Sequence, residues 1–221
     1  RLFVKLFFSP LRYPVPEKEQ KAASFGKPFS FEISEKIIEG YSWGDSPNYV
    51  LVMHGWAGRA TQFRRFIKPL LKAGFSVVGF DGPAHGRSSG KRTTILEFEE
   101  AFRKLYELKG EPAAIIAHSF GGGAILFAAM NGLPVKRLIN IASPTIGDEI
   151  INTYLRAING SEKTKAFFKR HMLEVYHKPF DEFTALHFIK KLPAPIELLL
   201  VHDENDREVT LNHASALIKL F

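Results

Sequence analysis

The chain has 221 residues, 45% hydrophobic and 24% charged, which suits one domain with a sizeable core and room for a small insertion. The absence of cysteine excludes disulfides, thiolate metal sites and a cysteine nucleophile, and is compatible with a reducing, cytoplasmic setting. A net charge of +7 would suit acidic partners, but the positive residues are scattered and accompany no nucleic-acid-binding motif, so no nucleic-acid partner is expected.

The opening "RLFVKLFFSP" combines basic and apolar residues. It is too short for a signal peptide, Lys5 interrupts it and no small-residue cleavage site follows. A docked N-terminal segment is the expectation, ahead of a membrane-surface contact through "RLFVKLFF". No apolar run reaches the roughly 18 residues that span a bilayer. Residues 9–18, with three prolines, read as an extended lead-in. Residues 29–43 predict two antiparallel strands, and "SWGDSPN" a turn.

A repeating grammar then begins. "YVLVMHG" is an unbroken apolar strand. Residues 60–73 predict a helix with Phe63, Phe66, Ile67, Leu70 and Leu71 on one face and Gly74 as its stop. "FSVVGFDG", "AAIIAHS", "RLINIAS" and "IELLLVHD" read as further strands, and residues 94–110, 121–132 and 210–221 as helices. Apolar runs without alternation, separated by helices, specify a mostly parallel sheet covered on both faces. Its crossovers are right-handed, and ligands bind beyond the carboxyl ends of its strands. Residues 146–193 lack any strand signal; "EKTKAFFKRHMLEVYHK" places Phe168, Met172, Val175 and Tyr176 at helical spacing, and "FDEFTALHFIKKL" reads as another helix. The expected organisation is an α/β core over residues 29–145 and 194–221, a helical cap over 146–193, and a lead-in over 1–28. The 20 phenylalanines imply a core or pocket built largely from rings; five of them, Phe167, Phe168, Phe180, Phe183 and Phe188, fall in the cap.

The strand ends carry the chemistry. In "AIIAHSFGGG", Ser119 closes a strand and opens a helix, with Ala117 before it and Gly121, Gly122 and Gly123 after it. A helix cap would explain the serine alone. A hydroxyl thrust out at a sharp strand-to-helix turn also explains its small neighbours, because there the two backbones pass close together. At a helix N-terminus, backbone N–H groups favour a developing negative charge. Ser119 is accordingly the candidate nucleophile.

"AHSFGG" resembles the nucleophile elbow of the α/β-hydrolase family, with Ala117 where glycine is commoner. "HGWAG", residues 54–58, resembles that family's oxyanion loop, and "DGPAHGRSSG", residues 81–90, its Asp-x-x-Gly-x-Gly-x-Ser loop. The resemblance runs from about residue 29 to 217, with its motifs in the family's order. It implies an oxyanion hole made by the backbone N–H groups of Trp56 and Phe120, with His54, Asp81, His85 and Ser88 as scaffold. In "LLLVHDENDREV" it implies Asp206, four-residue pattern Asp-x-x-Val, as the acid that orients a histidine, with Asp203 as loop structure. The implied reaction is cleavage of an ester or related acyl bond of a small, apolar acyl substrate by a serine hydrolase, with no metal or cofactor. Peptidase and perhydrolase chemistry are left open.

A serine hydroxyl needs a base. The family's histidine follows one further strand beyond the acid, which this sequence lacks. The reading favours a gene product that continues past Phe221 and begins before Arg1. Within the chain, His213 in the predicted tail helix is the foremost candidate, with His85 behind it; His118, His171, His177, His187 and His202 are less well placed. The alternative is a catalytically inactive α/β-hydrolase scaffold that serves as a binding protein.

Overall fold

A computed structural model describes residues 2–220. The lead-in is not merely extended: it holds α1 (Leu2–Phe7) and α2 (Glu17–Ser24) on either side of the proline-rich stretch. Strands β1 (Lys27–Ile33) and β2 (Lys36–Trp43) form the expected antiparallel pair. They are followed by β3 (Tyr49–Met53), α3 (Arg64–Lys72), β4 (Ser76–Phe80), α4 (Ile95–Lys109), β5 (Ala114–His118), α5 (Phe120–Met130) and β6 (Arg137–Ile141). Helices α6 (Gly147–Ala157), α7 (Glu162–Tyr176) and α8 (Ala185–Ile189) precede β7 (Glu197–Val201) and α9 (Leu211–Ile218).

The seven strands form one sheet in the order β1-β2-β4-β3-β5-β6-β7. β1, β2 and β4 pair antiparallel, and every pair from β4 to β7 is parallel. All five residues of β3 and of β4 are buried, because side chains alternate between two covered faces. Leu51, Met53, Ile115 and Ala117 enter a core with α4, α5 and α8 on one face. Val50, Val52, Val77 and Ile116 enter a second core with Phe63 and Ile67 on the other. α2 belongs to this second side, where Trp43 Nε1 donates to Ala22 O at 2.8 Å. Strand β7 alternates instead, exposing Leu199 and Val201.

The helical segment has its own small core of Ile151, Leu155, Phe168, Met172 and Phe180. α1 docks there, with the Phe3 ring 5.2 Å from that of Phe168 and the Phe7 ring 4.6 Å from it. Two local expectations differ. Residues 180–192 break into a 3-10 turn over Phe180–Phe183 and the short α8, because Thr184 between them is extended and its hydroxyl donates back to Asp181 O. Phe66 and Val175, expected on buried faces, are largely exposed. No helix among the described residues is long and apolar enough to cross a membrane.

Candidate active site

Ser119 sits between β5 and α5 with φ 53° and ψ −126°, a conformation that is strained for a residue bearing a Cβ. The strain is held by hydrogen bonds on both sides of the residue. Its N–H donates to Ile141 O at 2.8 Å, and its carbonyl accepts Gly122 N–H at 3.0 Å and the Ser143 hydroxyl at 2.7 Å. The Ser119 hydroxyl itself caps no helix N–H and has no hydrogen-bond partner among the described residues. The glycines after it answer to packing. A Cβ on Gly121 would stand 2.5 Å from His54 O, and one on Gly122 would run into Asn140 Oδ1 and Ser143 Oγ. Gly123 has open space beside it and faces a cavity.

The loop after β3 approaches the same corner. A Cβ on Gly55 would lie 2.8 Å from Ser119 Cβ, so only glycine lets the two loops meet. The backbone N–H groups of Trp56 and Phe120 have no acceptor among the described residues. Their rings touch edge to face at 5.3 Å, and both residues line the cavity that Ser119 lines.

Most of the surrounding polar groups are consumed by structure; the exception is His85 Nε2, buried without a hydrogen-bond partner among the described residues. His54 is fully buried: Nδ1–H donates to Gly55 O at 2.7 Å and Nε2 accepts Gly82 N–H at 2.8 Å. This fixes the neutral tautomer, and burial pushes its pKa down to about 4. Asp81 accepts Ala60 N–H on Oδ1 and Arg87 N–H on Oδ2, at 2.8 and 2.9 Å. The Ser88 hydroxyl donates to Asp81 O and accepts Glu39 N–H at 2.9 Å. His85, packed against Trp56, His54 and Phe98, donates from Nδ1 to Pro83 O at 2.9 Å, and burial pushes its pKa down to about 3. These four residues pin the loops after β3 and β4.

The loop after β7 holds two different aspartates. Asp203 is exposed and its Oδ1 accepts Asn205 N–H at 2.8 Å. Asp206 is half-buried; Oδ1 accepts Glu208 and Val209 N–H, both at 2.9 Å, and Oδ2 is left without a partner among the described residues. The charge of Asp206 acts on both His118 and His213, raising their pKa against a larger opposing effect of desolvation.

His213 lines the cavity but has no lone pair to offer. Its Nδ1 accepts Thr145 N–H at 2.8 Å and Ile146 N–H at 3.1 Å, so Nε2 carries the proton and faces Glu149 Oε2 at 3.1 Å. The residue ties α9 to the start of α6. His202 spends Nε2 on Val209 O at 2.6 Å. His118, next to Ser119, has no hydrogen-bond partner among the described residues.

The cavity above Ser119 has a volume of about 280 Å³. The helical segment supplies Tyr154, Tyr176, Phe180, Phe183 and Phe188 to its wall. Phe168 lies behind that wall, and Phe167 is partly exposed. Phe7 and Phe8 complete it from the N-terminal segment. The sequence signalled an apolar N-terminal stretch, but nothing local in it shows which surface those rings meet.

The mostly parallel sheet that carries this elbow is shared with known proteins. A sequence model described as alpha/beta hydrolase fold matches residues 48–170. A probable serine hydrolase of Drosophila melanogaster is 30% identical over 131 residues, covering 53% of this chain and 38% of that protein. A monoacylglycerol lipase of Mycolicibacterium smegmatis is 35% identical over 92 residues, covering 38% of this chain and 32% of that protein. The matches thus span well under half the length of these relatives. Among solved structures, an alpha-beta hydrolase from Vibrio vulnificus superposes with a TM-score of 0.71 at 20% identity, over 95% of this chain and 76% of that one. An esterase from Pyrococcus furiosus does so with a TM-score of 0.68 at 21% identity, over 96% and 82%. With more than half of its residues inside the family match and its fold shared with those structures, the chain belongs to the alpha/beta hydrolase fold family.

Proposed function

We propose that this chain carries the active site of a serine hydrolase that cleaves an ester, thioester or related acyl bond of an apolar acyl substrate. The observation that carries the reading is the Ser119 hydroxyl. It is unbonded, held at a strained corner beside two unpartnered amides, and opens into a cavity walled by aromatic rings. Sequence similarity to a probable serine hydrolase and to a monoacylglycerol lipase supports the same class of chemistry.

In this mechanism Ser119 Oγ attacks the acyl carbon and the carbonyl oxygen takes up the negative charge. The Trp56 and Phe120 amides stabilise that oxyanion; one such donor is worth about 3 kcal/mol of barrier. The serine proton passes to a histidine oriented by the free Oδ2 of Asp206, and from it to the departing alcohol or thiol. Water then attacks the acyl-enzyme by the same route and regenerates the serine. The lone pairs of His54 and His213 are taken by backbone N–H groups, so neither serves as the base, and the role is assigned in this proposal to another histidine of the full gene product. The helical segment acts as a cap, with α1 as part of its inner wall.

The test is hydrolysis of p-nitrophenyl esters of increasing chain length by the full gene product and by its Ser119→Ala variant. Turnover that prefers longer acyl chains and vanishes in the variant is the expected result. A second reading, a binding protein on the same scaffold, is favoured by the engaged lone pairs of His54 and His213. It predicts saturable fatty-acid binding with no turnover in either protein.

A further inference from the structure

A second cavity, of about 80 Å³, opens beside the loop that carries Trp56, with Arg12, Arg59 and Arg87 in its lining. A single water needs about 15 Å³ of such space, so the cavity has room for a group the size of phosphate. Three guanidinium groups on one small cavity repel one another, and the buried Arg59 is also costly to desolvate.

Two buried carboxylates, Glu19 and Asp81, offset part of this charge and leave the three arginines in excess. Arg59 is 5% exposed and its Nε has no hydrogen-bond partner among the described residues. The nearest carboxylate oxygen, Glu19 Oε2, stands 3.7 Å from that Nε and takes the Thr61 hydroxyl instead, at 2.8 Å. Asp81 is in the cavity wall, but both of its oxygens are engaged by backbone N–H groups. Glu39 acts on Arg87 only from outside the lining.

The donors that remain point to a ligand. Arg12 spends Nε and Nη2 on the carbonyls of Ala84, Ser88 and Gly90 and keeps Nη1. Arg87 spends Nη1 on the Tyr41 hydroxyl at 3.0 Å and keeps Nε and Nη2. Arg59 spends Nη2 on Tyr13 O at 3.0 Å and keeps Nε. The Nε and Nη2 edge of Arg87 is a fork that matches the geometry of an oxyanion and binds it through short, charge-assisted bonds, to which Arg12 and Arg59 each add a donor.

We infer that this cavity is a binding site for phosphate or a phosphate monoester, held by Arg12, Arg59 and Arg87. The site is separate from the Ser119 cavity. Its occupant bridges the N-terminal segment to the loop after β3, where Ala57 has a positive φ of 57°. Bound anion therefore stabilises the loop that presents the Trp56 amide.

The experiment uses the Ser119→Ala form of the full chain, so that its outcome is independent of hydrolysis. Thermal midpoint is followed against inorganic phosphate, and separately against glycerol phosphate, with sodium chloride at matched ionic strength as the control. A saturable rise with phosphate is expected, because a ligand that binds only the folded state stabilises it. Arg87 is exposed, so Arg87→Gln should fold, and it should weaken phosphate binding at least about tenfold. An equal response to glycerol phosphate assigns the site to a phosphate ester, and a response to inorganic phosphate alone assigns it to the free ion. An equal shift from chloride, or an unchanged phosphate response in Arg87→Gln, overturns the proposal.

Discussion

Asp81 and Asp206 both lie in loops at the carboxyl ends of parallel strands, yet the structure uses them in opposite ways. Asp81 is 2% exposed and each of its oxygens accepts a backbone N–H, so its hydrogen-bonding capacity is spent on holding the loops after β3 and β4 together. Asp206 is half-buried, shapes its own turn with Oδ1, and leaves Oδ2 without a partner among the described residues. The serines divide in the same way. Ser88 gives and receives a hydrogen bond, whereas the Ser119 hydroxyl does neither. At a strand end, residue type alone does not separate scaffold from chemistry. The proposed chemistry is placed where bonding capacity is unspent: at the Ser119 hydroxyl, which lines the cavity, and at Asp206 Oδ2.

The sharpest way to break this contrast is a matched pair of substitutions. Asp206→Asn should lower kcat for ester hydrolysis by about 10⁴-fold through loss of histidine orientation, while the thermal midpoint stays close to that of the parent. Asp81→Asn should do the reverse, destabilising the fold by about 3 kcal/mol as one of the two buried amides loses its acceptor and faces the Asn NH2 donor instead, with the activity of the folded fraction largely retained. Circular-dichroism melts and initial rates on both variants read the two effects, and a stability loss confined to Asp206→Asn would invert the comparison.

Acid should sharpen it next. His54 and His85 have folded pKa values near 4 and near 3, both below the 6.5 of the unfolded chain. The unfolded chain therefore takes up protons first as pH falls. The stabilisation is complete above about pH 6.5 and drains away toward pH 4, by about 3 kcal/mol for His54 alone. Urea midpoints between pH 7 and pH 4 should show this slope. His85→Phe, which keeps a ring against Trp56 and Phe98, should roughly halve the histidine share of it. A slope untouched by that substitution would mean that other groups set the acid limit.

The smallest effect concerns the cavity wall. Phe7→Ala should raise KM for a long-chain ester by about three- to tenfold through lost apolar contact, and should leave an acetyl ester almost unaffected. Equal changes for both esters would remove α1 from the binding surface.

The sheet and the elbow were legible in the sequence because their signals are local. Unbroken apolar runs report burial on two faces, as in β3 and β4. Gly121 and Gly122 report a close approach of backbones that the structure supplies in His54 O and Asn140. What stayed hidden depends on distant partners. α2 was masked by the neighbouring prolines, and what marks its place is contact with β2 and the turn after β3, through Trp43 on Ala22 O and Thr61 on Glu19. The placement of Phe7 and Phe8 over Ser119 has no local signature. Nor does the loss of His213 as a base, which comes from the amides of Thr145 and Ile146, far away in the chain.

The central claim is that the Ser119 hydroxyl is a nucleophile presented by its strained turn. The most direct measurement is reaction of the folded, full-length gene product with a fluorophosphonate, followed by intact mass and peptide mapping. The account predicts a single adduct on Ser119 that is absent from Ser119→Ala. An adduct that persists in the alanine variant, or a folded parent protein that takes up no label, would contradict it.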